Sequence, residues 1–252
     1  MSDYVTLDKT CNSPTRTSTN FDDSFEKFIQ IKTKHFKNPF ISYLNINSLR
    51  GDKMHLLRDL LVNTAFEVIC IDETKLTMDF PDSQFHVFGY QYPPYRRDRN
   101  CSLNTRGGGK LVYIKNGMIT KRLKSYETPN AETICLELNV SGRIWFIMFA
   151  YRPESINRDL FFNEVNICLG KAVTKYDYVI LAGDLNVDMD LPKSDTKGLL
   201  KDLCESFDLS NLITAKTCTK QNEGSSLDVF LTNHTLCFQH TNVMETAMSG
   251  LF

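Results

Sequence analysis

The sequence predicts an α/β chain in which two β-sheets pack face to face with helices on their outer faces. Three observations predict it. Short apolar runs of strand type recur and several pair as hairpins; helical patterns are few and several fall between strands; and five strand boundaries carry polar residues suited to a single site. The 252 residues, 42% of them hydrophobic, suffice for one large domain with a substantial core.

Residues 1–38 are rich in Ser, Thr, Asp and Lys, and only Phe21, Phe25, Phe28 and Ile29 show helical spacing. This stretch is expected to be a loose arm with at most one short helix, ahead of a domain at 39–252. The domain opens with a strand, FISYL from Phe40, that stops in Asn45 and Asn47. Met54, Leu57, Leu60 and Leu61 then give an amphipathic helix of moderate regularity. FEVICI, from Phe66 to Ile71, is a second strand, ending in Asp72-Glu73-Thr74.

Residues 80–109 hold Pro, Gly, Arg and Tyr and read as loop, with a short strand at QFHVFGY. Gly107-Gly108-Gly109-Lys110 lacks the Lys-Ser/Thr pair and helix of a phosphate-binding loop, so it reads as a turn before a strand over Lys110 to Lys115. Glu132 to Val140 and Arg143 to Ala150, joined by Ser141-Gly142, form the clearest hairpin signal, and the second strand runs into Tyr151-Arg152-Pro153. Asn157 is the expected N-cap of a helix reaching about Val173, with Leu160, Phe161, Val165, Cys168, Leu169 and Ala172 on one face. A further helix is expected over about Thr196 to Phe207, and a strand over Ser226 to Leu231 with Asp228 near its start.

The stretch Tyr178 to Asn186, YVILAGDLN, is the expected centre of the fold. Tyr178 to Leu181 is β-rich, short and bounded by Gly183, as in a strand buried on both faces. Asp184 and Asn186 follow two residues apart, where a rigid sheet meets solvent, so their side chains point the same way. Alone, GDLN reads equally well as a strand-ending turn. Asn45, Asn47, Glu73, Tyr151, Asp184, Asn186 and Asp228 together give carboxylates and carboxamides without a zinc-like Cys/His set, which suits a hard divalent cation and a phosphate.

The net charge of −1 argues against a general polyanion binder, but it averages over an uneven distribution. Between Arg96 and Lys124 stand nine basic residues, among them Arg97, Arg99, Arg106 and Lys110, against the single acid Asp98. This run reads equally as a solvated surface or as one facing phosphates. The eight cysteines are scattered without metal-binding spacing and are expected to be free thiols. The first residues, MSDYVTLDKT, have no apolar core of a signal peptide, and the longest apolar stretch, Ile144 to Ala150, is too short to span a bilayer, so an intracellular soluble protein is expected.

The motifs LNIN (44–47), DET (72–74), YRP (151–153), GDLN (183–186) and SLD (226–228) fall in the order of the endonuclease/exonuclease/phosphatase superfamily. The wording around them, LNINSLR, CIDETKL, YRRDR with RGGGKLVYIK, and SLDVFLTN, most resembles the endonuclease domain of LINE-type, non-LTR retrotransposons over residues 40–248. The resemblance implies a four-layered α/β/β/α sandwich of two mixed sheets and a Mg2+-dependent, or Mn2+-dependent, phosphodiesterase that nicks DNA. Its implied partners are DNA and, in a parent polyprotein, a reverse transcriptase; its implied place is the nucleus or cytoplasm.

By the same resemblance Glu73 and Asn45 bind the metal, Asp184 orients or deprotonates the attacking water, and Asn186 and Tyr151 hold the phosphate. Arg96, Arg97, Arg99, Arg106 and Lys110 are the expected DNA contacts. The family pattern ends in Ser-Asp-His and an apolar strand, whereas this chain reads Ser249-Gly250-Leu251-Phe252. A missing last strand, an unpaired strand edge, and an Asp228 without its histidine are therefore expected, with nicking impaired. His234 and His240 lie off the motif. Two other readings stand beside the nuclease: an inactive remnant that binds nucleic acid or protein, and a phosphatase acting on a small substrate.

Overall fold

The structure, a computed structural model, describes residues 3–8, 19–99, 107–187, 195–213 and 228–243. In chain order its elements are β1 (Asp3–Asp8), α1 (Thr19–Lys34), β2 (Phe40–Asn45), α2 (Lys53–Thr64), β3 (Val68–Asp72), β4 (Tyr95–Arg97), β5 (Lys110–Ile114), β6 (Ile119–Arg122) and β7 (Glu132–Val140). They continue with β8 (Arg143–Tyr151), α3 (Arg158–Val173), β9 (Tyr178–Asp184), α4 (Asp195–Ser206), β10 (Ser210–Asn211), β11 (Asp228–Thr232) and β12 (Phe238–Val243).

The strands form two six-stranded mixed sheets, ordered β12-β1-β2-β3-β5-β4 and β10-β11-β9-β8-β7-β6. Because side chains alternate across a strand, each sheet has two apolar faces to bury. Ile41, Tyr43, Val68, Cys70 and Val112 of the first sheet meet Ile134, Leu136, Ile147, Phe149, Ile180 and Phe230 of the second. The alternate residues of the first sheet, such as Phe40, Leu44, Ile69 and Ile71, pack under Phe28 of α1 and Leu57, Leu60 and Leu61 of α2. Those of the second, such as Phe146, Met148, Val179 and Leu181, pack under Phe161, Val165 and Leu169 of α3 and Leu200 and Leu203 of α4. The result is the expected α/β/β/α sandwich.

Local signals explain the connections. Ser141 and Gly142 both have positive φ, 53° and 84°, in a two-residue turn that pairs Val140 with Arg143, as a right-twisted hairpin requires. The Asn157 side chain accepts the Leu160 N–H at 3.0 Å and caps α3. At Gly183, where φ is +141°, any Cβ would collide with the Ala150 carbonyl oxygen, so β9 approaches β8 only because this residue is glycine. Among the described residues no helix is long and apolar enough to cross a membrane.

Two expectations need correction. The N-terminal stretch is no loose arm where it is described. Its residues 3–8 form β1, parallel to β2 and β12, and α1 docks through Phe28, whose ring lies 5.5 Å from Phe40 and 5.0 Å from Phe66. Lys32 adds an ion pair with Glu67 at 3.1 Å. QFHVFGY is not a strand: a 3-10 turn covers Asp82–Phe85, and the edge strand is β4, inside the expected loop. β6 and β12, polar and mostly exposed, show too little alternation to be read from sequence. β2 has neighbours on both sides, β1 and β3. The expectations resting on Met248 to Phe252, and on Ser226 and Leu227, lie outside the described residues.

Candidate active site

β2, β3 and β9 end at the same end of the sandwich, and β11 starts there. Beyond β2 the chain keeps pairing with the segment after β3: the N–H groups of Ile46, Ser48 and Leu49 bond to the carbonyls of Asp72, Glu73 and Thr74 at 3.0, 2.6 and 2.9 Å. The polar residues sit in unusual backbone conformations, with φ of 46° at Asn47, 50° at Glu73 and 49° at Asn186. Such left-handed non-glycine residues cost about 1–3 kcal/mol in the less tolerated cases and concentrate where function requires them.

The two sheets hold these turns in the same way. Asn45 Oδ1 accepts the Asn47 N–H at 3.1 Å in the first sheet, and Asp184 Oδ1 accepts the Asn186 N–H at 3.0 Å in the second. Each is a side chain closing a turn on the backbone two residues ahead. The remaining polar atoms of the pair meet across the sandwich. Asn45 Nδ2 donates to Glu73 Oε1 at 2.7 Å and to Asp184 Oδ2 at 3.3 Å. One carboxamide thus joins carboxylates from β2's neighbour and from the opposite sheet.

Tyr151, at the end of β8, stands beside Glu73. Burial, then the carboxylates of Glu73, Asp184 and Asp72, push its hydroxyl pKa far up, so it stays protonated and can donate. Asn186 is fixed through Arg152: its Nδ2 donates to the Arg152 carbonyl at 2.6 Å, while the Arg152 guanidinium donates to the carbonyls of Leu185 and Asn186 at 2.7 and 2.6 Å. Burial lowers the Arg152 pKa, opposed by Asp184. Asp228 is only 1% exposed and pairs with Asp184 across the β11–β9 ladder, so the structure brings it to the site floor. Asn45, Glu73, Tyr151, Asp184, Asn186 and Asp228 therefore converge. His234 bonds the Asp177 carbonyl at 3.0 Å and His240 faces His35 at 5.1 Å, each with partners other than these.

Beneath them lies a group that the sequence did not reveal. Tyr43, Asp72 and Lys110 are fully buried; the Tyr43 hydroxyl donates to Asp72 Oδ2 at 2.6 Å and accepts the Asp184 N–H at 3.0 Å, and Lys110 Nζ pairs with Asp72 Oδ1. Burial first, then Asp72, Asp184 and Asp228, hold the Tyr43 pKa well up. Glu132 Oε2 accepts the Gly109 N–H at 2.8 Å, and burial, opposed by Lys110, raises the Glu132 carboxyl pKa. The glycines form a wall of the site. A Cβ on Gly107 would meet the Tyr151 hydroxyl at 2.6 Å and Glu73 Oε2 at 3.2 Å, one on Gly108 would strike Glu132, and one on Gly109 would meet Thr74 Oγ1 at 2.6 Å.

The expected DNA contacts are largely spent inside the protein. Lys110 is 0% exposed and balances Asp72, so it cannot meet a phosphate. Arg96 pairs with Asp82 and Asp98, bonds the carbonyls of Thr77 and Phe80, and lies 5.2 Å over Phe85. Arg97 bonds the carbonyls of Thr133, Thr128 and Pro129 at 3.0, 2.8 and 3.3 Å. Arg99 is half-buried, with its backbone N–H on the Leu76 carbonyl at 3.0 Å. Arg106 lies outside the described residues. The cations beside Asn47 are instead Lys75, bonded to its Oδ1 at 2.6 Å, and Lys53, on its carbonyl at 3.3 Å. The Lys that follows Asp-Glu-Thr was the available signal for the first.

Among the described residues no three His, Cys, Asp or Glu side chains close into a metal cage. The oxygen donors that do converge are the carboxylates of Glu73 and Asp184, while the Asn45 carboxamide turns its Nδ2 to both and keeps its Oδ1 on the Asn47 N–H. Two hard carboxylates fit Mg2+, which keeps much of its water shell.

Known proteins of solved structure share this architecture at low identity, so the likeness concerns the fold. The endonuclease domain of TRAS1, a telomere-specific non-LTR retrotransposon, matches at a TM-score of 0.59 and 11% identity over 76% of this chain and 82% of that one. The 3'-5' exonuclease NExo from Neisseria meningitidis gives 0.55 and 14% over 78% and 88%. An AP endonuclease from Archaeoglobus fulgidus gives 0.52 and 16% over 78% and 87%. No curated protein matches the sequence. The family model, in contrast, matches residues 43–249, from the hydrogen-bonded Tyr43 through every site residue described above, and the chain belongs to the Endonuclease/Exonuclease/phosphatase family.

Proposed function

We propose that this protein is a divalent-metal-dependent phosphodiesterase that nicks DNA, of retrotransposon type. Members of the family are hydrolases of phosphodiester bonds and its nucleases generally use divalent metal ions. The observation that carries the reading is the Asn45 carboxamide held between Glu73 and Asp184, which ties a metal-binding carboxylate to a water-handling one across the two sheets. The motif wording supports the origin, and the fold shared with a retrotransposon endonuclease domain agrees with it; the proposal carries with it a reverse transcriptase as neighbour and an intracellular place of action.

A phosphodiester resists attack through its own negative charge, so its cleavage needs donors, a cation and an aligned water at one point. Mg2+ held at Glu73, with Asn45 beside it orienting that carboxylate, would supply charge neutralisation. The protein supplies the rest. Tyr151, kept protonated, donates a hydrogen bond to a phosphate oxygen; Asn186, held by Arg152, offers its amide to the phosphate. Asp184, with one oxygen on the Asn186 N–H, aligns the attacking water and takes its proton.

The inward engagement of Arg96, Arg97 and Lys110 weakens the charge argument for DNA and favours a second reading, a phosphatase acting on a smaller phosphate ester. A supercoiled-plasmid assay with and without Mg2+, run beside inositol phosphates, separates the two. Mg2+-dependent conversion to open circles supports the nuclease; phosphate release without nicking replaces it with the phosphatase.

A further inference from the structure

The Tyr43–Asp72–Lys110 group joins the two sheets where the site residues start. Tyr43 points from β2 into the space between the sheets, and a hydroxyl offers one proton and acceptor capacity. The proton is used on Asp72 Oδ2, which leaves its oxygen for the Asp184 N–H. That N–H belongs to the last residue of β9, so the bond sets where the Asp184 main chain sits relative to Asn45 and Glu73 on the other sheet. Three carboxylates, those of Asp72, Asp184 and Asp228, crowd the Tyr43 hydroxyl. A buried cation among them relieves the repulsion, and Lys110 occupies that place, paired in register with Asp72 on neighbouring strands and 5.7 Å from the Tyr151 ring centroid.

We propose that Asp72, balanced by Lys110, is a positioning residue that acts through Tyr43 to fix the backbone of Asp184. The device is neither metal ligand nor phosphate contact. It gives the two charged residues a purpose beyond stability, since a buried ion pair can often be replaced by apolar side chains without loss of fold, whereas either half alone leaves an uncompensated charge. The kinetic part of its test rests on the nuclease reading; the structural part does not.

Three full-length variants separate the contributions. Tyr43→Phe removes the hydroxyl. Asp72→Leu with Lys110→Met removes both charges and the acceptor. Asp72→Asn with Lys110→Met removes both charges but keeps a carbonyl to accept from Tyr43. The first two are expected to lower kcat for plasmid nicking about tenfold with KM unchanged, because a small misplacement of a reacting group is expensive in rate. The third is expected to keep kcat within about threefold of the parent. Amide exchange at Asp184 is expected to speed up about tenfold in the first two and to stay at the parent rate in the third.

Unchanged kcat or unchanged Asp184 exchange in Tyr43→Phe overturns the proposal. So does an asparagine double variant that melts cooperatively and yet loses as much as the leucine one. If the double variants do not fold, Tyr43→Phe decides. A parent protein that nicks no DNA overturns the function proposed above, and Asp184 exchange in Tyr43→Phe then decides the positioning claim by itself.

Discussion

Gly107→Ala puts the geometry of the site to a quantitative test. The added methyl would sit 2.6 Å from the Tyr151 hydroxyl and 3.2 Å from Glu73 Oε2, whereas ordinary contact begins at 3.4 Å. The hydroxyl must therefore retreat by roughly 0.8 Å, or the glycine segment must lift, and an error approaching 1 Å in a reacting group costs up to about 10²-fold in rate. The stability cost is of similar size in free energy, about 1–3 kcal/mol for overpacking of this kind. The assay is plasmid nicking under single-turnover conditions, paired with thermal melting. The cleavage rate is expected to fall by about one to two orders of magnitude, with a modest drop in melting temperature. Because the severest clash is with the Tyr151 oxygen, Tyr151→Phe in the same chain is expected to recover most of the melting temperature but not the rate. Full nicking activity in Gly107→Ala would refute the close approach of this loop to Tyr151.

Other outcomes follow from the same contacts. Lys110→Met alone leaves Asp72 charged and buried, and is expected to destabilise the fold by about 3–5 kcal/mol in chemical denaturation. Arg97→Ala removes bonds to three carbonyls, two of them part-buried, and is expected to cost about 1–3 kcal/mol in stability while leaving DNA affinity in a filter-binding assay unchanged. Glu132 has a raised carboxyl pKa in the fold, so the folded state binds this proton more readily than the unfolded one. Wild type is thus expected to lose stability relative to Glu132→Gln as pH rises from the ordinary carboxylate range through that raised value; melting curves at a series of pH values would show a flat difference if burial did not act on Glu132.

The layers of the fold were legible because β2, β3, β8 and β9 are nearly continuous apolar runs with abrupt polar ends, and an abrupt end is also where a site can form. Asn45 with Asn47 and Asp184 with Asn186 were visible as polar pairs for the same reason. That each pair is one turn, closed by the first side chain on the second N–H, follows from the i to i+2 spacing only once the left-handed conformation is known. The direction of the basic residues was not legible. Arg96 and Arg97 are adjacent in sequence, yet one reaches back to Asp82 and Phe80 and the other forward to Thr128 and Thr133, partners that charge counting does not see. The Asp72–Lys110 pair was hidden because it depends on register: each residue stood at a strand boundary, and only the β3–β5 pairing sets them side by side. β1 was hidden because its central-strand position comes from neighbours at residues 40–45 and 238–243, far away in sequence.

The central claim is that Asp184 handles the attacking water on a phosphodiester. Asp184→Asn keeps shape and the acceptor for the Asn186 N–H at 3.0 Å but removes the charge and turns the Asn45 contact at 3.3 Å into donor against donor. Glu73 still holds Asn45 at 2.7 Å, so the fold survives. The most direct measurement is Mg2+-dependent nicking of supercoiled plasmid by wild type and Asp184→Asn, with DNA binding measured on the same samples. The account predicts nicking by the wild type, a loss of about 10²- to 10⁴-fold in the variant, and unchanged binding. Nicking at equal rates in the two proteins would contradict it.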